Sequence, residues 1–139
     1  MTTPTERIQK ALDSALRSFA IANSINYELE NIGSGQQSTD TPYLAGYFLP
    51  VSVEDADLYF TDRRTGIYQI DICYGSGGGT ATINRMTDLL NAHFKPGSVF
   101  VSGGFCVEIT NFSPERVNIS NGWAIKPCSI TFVCYTKRL

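Results

Sequence analysis

Apolar residues recur at Ile8, Leu12, Ala15, Phe19 and Ala22, with Ala11 and Leu16 beside them. That spacing predicts an amphipathic helix over residues 3–22, with Gln9, Lys10, Asp13, Ser14 and Arg17 on its wet face. Thr3-Pro4-Thr5-Glu6 supplies a capping box with proline at the first helical position. From residue 25 the period changes. Ile25, Tyr27 and Leu29 alternate against Asn26, Glu28 and Glu30, which predicts a half-buried strand. Residues 33–42 carry no apolar side chain except proline and read as a loop. Tyr43 to Val53 is apolar and aromatic, a strand in which Pro50 marks an edge, a bulge or an end. Glu54 to Thr65 reads as a charged excursion.

Ile67 to Tyr74 is apolar on both parities except at Gln69 and Asp71, the pattern of a strand inside a sheet. Gly75 to Gly79 then reads as a hinge into a second helix. Ile83, Met86, Leu89, Leu90 and Phe94 form its apolar face, Thr80 or Thr82 can cap it, and Pro96-Gly97 stops it. Val99 to Val101 is a short strand. Phe105, Val107 and Ile109 alternate against Cys106, Glu108 and Thr110. Asn121-Gly122 is a strong two-residue hairpin signal, and Trp123 to Tyr135 returns as a long last strand. The sum is an α+β chain over residues 1–139, read as one domain: a mostly antiparallel sheet with two helices on one face.

Composition removes several functions. Lys and Arg number 11 against 13 Asp and Glu, a net charge of −2, without the clustered basic face that nucleic-acid binding needs. No apolar run reaches bilayer length, and Met1 to Arg7 is not a signal peptide, so no membrane partner is expected. Cys73, Cys106, Cys128 and Cys134 lack zinc-ligand spacing and read as buried, reduced thiols. Cys128 and Cys134 share strand parity and are expected on one face.

The chemistry-bearing candidates are few. Gly75-Ser-Gly-Gly-Gly79 lacks both the lysine of a phosphate loop and the spacing of a dinucleotide fingerprint. His93 is the sole histidine, late in a helix where the C-terminal dipole accounts for it. Glu54, Asp55 and Asp57 lack the ligand spacing of a calcium loop. No catalytic, cofactor or metal residue is therefore assigned, and an enzyme is not expected.

Four stretches together carry a resemblance. They are Thr5-Glu-Arg-Ile-Gln-Lys-Ala-Leu12, the strand Gly66 to Ile72 running into Tyr74-Gly75-Ser-Gly-Gly, the helix end Phe94-Lys-Pro-Gly97, and the closing strand Gly122 to Phe132. The chain resembles the tail terminator proteins of long-tailed bacteriophages. The resemblance implies a structural virion protein, made in the bacterial cytoplasm and residing in the tail or neck. It implies a ring, usually hexameric, on the head-proximal end of the tail tube. The partners implied are further copies of the chain, the tail tube protein and a head-completion or connector protein, with DNA passing through the ring. A related head–tail connector, neck or tail-completion role is the alternative, and a small non-catalytic cellular interaction module is another. A ring needs two different patches on each subunit. Leu58, Tyr59 and Phe60, set among Glu54, Asp55, Asp57, Arg63 and Arg64, are the expected interface residues.

Overall fold

A computed structural model describes residues 3–29, 42–55, 61–75, 77 and 81–137 of the chain, with Lys137 described in its backbone only. The elements are α1 (Pro4–Ala22), β1 (Asn26–Leu29), β2 (Tyr43–Asp55), β3 (Thr61–Gly75), α2 (Ala81–His93), β4 (Val99–Ser102), β5 (Phe105–Pro114), β6 (Asn118–Ser120) and β7 (Trp123–Lys137). They build one sheet in the order β1-β2-β3-β7-β5-β4, with β6 paired to the start of β7. Every strand pair is antiparallel except β1–β2. Among the described residues, no helix is long and apolar enough to cross a membrane.

The central position of β3 and β7 follows from their side chains. Tyr68, Ile70 and Ile72 of β3 stand opposite Ile130, Cys128 and Lys126 of β7, and all but Lys126 are fully buried on the helix-covered face. Val107 and Ile109 of β5 and Leu44 and Phe48 of β2 extend that layer sideways. Ile8, Leu12, Leu16 and Phe19 of α1 and Ile83, Met86 and Leu90 of α2 close it from above. Each large aliphatic or aromatic side chain removed from water here contributes about 1.5–3 kcal/mol.

Polar ties fix how the helices sit. Thr3 caps α1, its hydroxyl accepting from the Glu6 amide at 3.3 Å. The buried Tyr68 hydroxyl donates to Asp13 of α1, so the sheet's most enclosed phenol is satisfied by the helix above it. This approach is close enough that a Cβ at Gly46 would meet the Tyr68 hydroxyl and the Leu16 side chain, so the neighbouring strand needs glycine there. Lys126 of β7 donates to Asn84 of α2 at 3.3 Å. His93, at the end of α2, places Nε2 3.1 Å from the Ala15 carbonyl of α1 and its ring between Phe19, Phe94 and Phe100. The histidine thus joins the two helices, a packing role beyond the dipole contact expected of it.

At the β6–β7 turn, Asn121 and Gly122 both adopt positive φ, 49° and 83°. Those are the left-handed conformations of a type I′ hairpin, which match the twist of the flanking strands.

Candidate assembly surface

The β2–β3 hairpin runs past the large apolar core residues, with β3 paired to β7 along its whole length. From Tyr43↔Cys73 to Pro50↔Gly66 it lies in regular register; a bulge intervenes between Pro50 and Ser52, and pairing resumes from Ser52↔Thr65 to Asp55↔Asp62. The proline that the sequence marked as an edge, bulge or end therefore sits at a bulge. The charged stretch expected as a loop from Glu54 to Thr65 is corrected. Glu54 and Asp55 end β2, and Thr61 to Thr65 begin β3. Cross-strand pairing explains the difference. Glu54 stands opposite Arg63 and makes an ion pair at 3.5 Å, and the Ser52 and Thr65 hydroxyls bond at 2.9 Å. Opposite charges and hydroxyls facing each other across a ladder support strand as well as apolar pairs do.

Of the expected interface residues, Glu54, Asp55, Arg63 and Arg64 lie on this outer hairpin; Asp57, Leu58, Tyr59 and Phe60 lie outside the described residues. Glu54 and Asp55, as consecutive strand residues, point to opposite faces and do not form one carboxylate cluster. Arg63 shares a face with Glu54. Arg64 turns the other way, toward α1: Nε donates to the Thr136 hydroxyl at 3.0 Å and a terminal nitrogen to the Thr5 hydroxyl at 3.5 Å.

Sequence reading missed a recess at the bulge. It holds ≈ 120 Å³ between Ile8 of α1, Phe48, Pro50, Val51 and Val53 of β2, and Phe132 of β7, with Arg64 at its rim. Val51 and Val53 remain 65% and 56% exposed. A bulge was one of the readings Pro50 offered in the sequence; its effect on facing was not, and it places Val53 opposite Arg64 on the helix side of the sheet.

The sheet face opposite the helices is also apolar in places. Tyr47, Leu49, Val99, Val101 and Tyr135 are exposed there. Cys106 shares that face and is exposed, which corrects the expectation of four buried thiols. It alternates with the half-buried Phe105 and the core residue Val107, so strand parity sends it to the uncovered side. Cys73, Cys128 and Cys134 are buried, the last two in the same core layer as their parity requires. Burial pushes their thiols up, to about 11 for Cys73, about 12 for Cys128 and about 11 for Cys134. Buried thiols held in the neutral form are poor nucleophiles and poor ligands. Burial likewise raises the half-buried Asp71 carboxyl, with Gln69 donating to it at 2.9 Å and opposing the shift. Among the described residues, no three His, Cys, Asp or Glu side chains converge on a metal-sized site. In the glycine hinge only Gly75 and Gly77 are described, the latter at φ 94°.

The arrangement is that of a protein which offers surfaces: an extended hairpin, a recess at its base and a partly apolar open sheet face. Comparison with known proteins gives the family. A family model described as "Phage tail terminator protein" matches residues 7–132. The chain belongs to the phage tail terminator protein family, and so to the structural proteins of the phage tail, with the virion tail as its location. A solved structure 20% identical in sequence superposes with a TM-score of 0.78, covering 96% of each chain, and shares the fold. No curated protein matches the chain in sequence.

Proposed function

We propose that this protein is the subunit of a ring, hexameric in the form the resemblance implies, that sits on the head-proximal end of the tail tube. The ring stops tube polymerisation and presents the surface to which the head-completion or connector protein joins. The chain acts by binding its own copies and these partners, not by catalysis. Assembly takes place in the bacterial cytoplasm.

The observation that carries this reading is the family match over residues 7–132. The hairpin supports it physically. Its outer half carries none of the large apolar core side chains, yet β2 keeps strand pairing with β3 to Asp55↔Asp62 and leaves Val51 and Val53 exposed. Elements held rigid beyond the core suit contacts with other molecules.

The test is a phage lacking this gene, viewed by electron microscopy. Overlong tube or tails without heads are expected, with normal particles restored when the chain is supplied in trans. Tails of normal length joined to capsids without the chain would sink the proposal. Charge reversal at Asp57 and at Arg64 is expected to impair ring formation or tail joining in the same assay.

A further inference from the structure

We infer that copies of this chain join edge to edge: β4 of one copy pairs in parallel with residues 52–55 of β2 in the next. The inference rests on the ring reading above and names the contact that links one subunit to its neighbour.

The sheet has two margins, and they match in height. β4 ends the strand order on one side. On the other, β1 covers β2 only from Tyr43 to Gly46, and no described strand lies beside residues 52–55. The registers connect the margins row by row. Phe100 stands opposite Val107, Val107 opposite Cys134, Cys134 opposite Arg64, and Arg64 opposite Val53. The adjacent row joins Val99 to Ser52 through Glu108, Val133 and Thr65. Val99–Ser102 and residues 52–55 therefore lie at one level on opposite sides of the sheet. Each step between them is antiparallel, and after an even number of steps the two run in the same direction. Copies in a closed ring are related by rotation without a rise. With the strands along the ring axis, that rotation brings the two margins together in parallel, helices all on one side. β1 does not obstruct the junction, because it occupies the other end of β2.

Backbone chemistry selects a strand as the occupant. Gly103 and Gly104 both have positive φ, 57° and 87°, and form the two-residue turn between β4 and β5. Next to such a turn Ser102 and Phe105 exchange both backbone bonds, and bonded and non-bonded pairs alternate from there. Phe100 thus bonds to β5, whereas Val99 and Val101 aim their N–H and C=O groups outward. An edge of this kind is a template for another strand.

Side chains select this strand. Along β4, on the helix side, runs a groove of ≈ 240 Å³ walled by Ala11, Ser14, Ala15 and Ser18 of α1 and by Phe100. Val53 of the neighbouring copy, exposed in its own domain, arrives on the helix side at the level of Phe100 and enters that groove. Asp55, two residues on, arrives level with Ser102. Beside it the Arg7 guanidinium lies on the Gly103 backbone, where a Cβ would collide with it. No carboxylate pairs with Arg7 among the described residues, so acid meets base at the end of the seam.

Disulfide trapping tests this on the full chain, alone and with tail tube protein, in whichever condition the wild type closes rings. Val101→Cys and Glu54→Cys, one row beyond Phe100 and Val53, are combined with Cys106→Ser, which removes the exposed native thiol. Within one copy these positions lie about 19 Å apart, at ~4.8 Å per strand spacing, too far for a disulfide. Across the junction they are neighbours at ~4.8 Å. Mild oxidation should give covalent multimers up to the ring size on a denaturing gel, and neither new cysteine alone should do so. Val101→Pro removes an outward N–H without touching the ladder to β5 and should weaken self-association about 10-fold or more, with circular-dichroism melting to separate assembly from unfolding. Arg7→Glu should open the rings, and adding Asp55→Arg should restore them. Rings of the cysteine pair that give no cross-link would overturn the edge pairing and leave the ring reading intact, as would unchanged rings from a folded Val101→Pro. A wild type that closes no ring in either condition would instead overturn the ring reading itself.

Discussion

The two halves of the β2–β3 hairpin share one ladder and differ in almost everything else. The inner half, Tyr43 to Leu49 against Ile67 to Cys73, lies under the helices and carries Leu44, Phe48, Tyr68, Ile70 and Ile72 into the core. The outer half, past the bulge, is joined across the hairpin by an ion pair and a hydroxyl pair, is anchored to β7 by the continuing β3 ladder and by Arg64, and leaves Val51 and Val53 exposed. Continuous backbone pairing thus does not imply a continuous role. The inner half buries the apolar side chains; the outer half of β3 stays paired with β7 from Thr61 to Thr65, while the outer half of β2 is exposed.

The comparison breaks first at the core. Phe132 is 1% exposed and stacks on Phe48 at 5.6 Å. Phe132→Ala should cost about 3–5 kcal/mol of stability by urea unfolding. A loss no larger than that of a surface substitution would mean that the packing of β7 on Phe48 of the inner half does not carry the fold. Gly66 lies at the boundary of the halves. A Cβ there would sit 2.6 Å from the Phe132 ring and 2.7 Å from the Leu49 carbonyl, so Gly66→Val should cost roughly 1–3 kcal/mol. The same measurement would show whether the bulge can absorb the strain.

Two finer outcomes sharpen the contrast between covered and open surface. In the folded chain Cys73 and Cys134 keep their protons to about pH 11 and Cys128 to about 12, whereas the same thiols ionise near ~9 when unfolded. The folded state therefore holds more protons above that pH. The stability these thiols contribute is full below about 9 and falls as pH rises toward 11–12. At pH 8 a thiol shifted to about 11 is ionised to roughly one part in a thousand. A thiol reagent should then modify the exposed Cys106 rapidly and the other three only on unfolding; rapid native labelling of a second cysteine would contradict the assigned burial. The smallest effect is expected at Glu54. Its ion pair with Arg63 is solvent-exposed, so Glu54→Ala should change unfolding stability by less than about 1 kcal/mol, as read by thermal melting.

Much of this architecture was legible in the residues. The capping box at Thr3, the 3.6-residue stripe of α1, the two-sided apolar run from Ile67 to Tyr74 and the Asn121-Gly122 turn are local signals, and each produced the element it predicts. The candidate surface was legible only as a stretch of chain. Glu54, Asp55, Arg63 and Arg64 were picked out by charge, but their residence on strands depends on pairing across the hairpin, which no single segment encodes. Cys106 was mistaken for a core thiol although its alternation with Val107 already pointed outward.

The sequence by itself determined the helices, the interior strand, the tight turn and, through its likeness to a known family, the class of protein. Those features depend on near neighbours, because helical period, strand alternation and turn conformation are set within a few residues. Only the tertiary structure decided that β1 runs parallel to β2, that the bulge after Pro50 sets Val53 opposite Arg64, and that Ile8, Phe48 and Phe132 meet to floor a recess. These depend on residues far apart in the chain being brought together by burial of a common core, and that contact leaves no trace in any one segment.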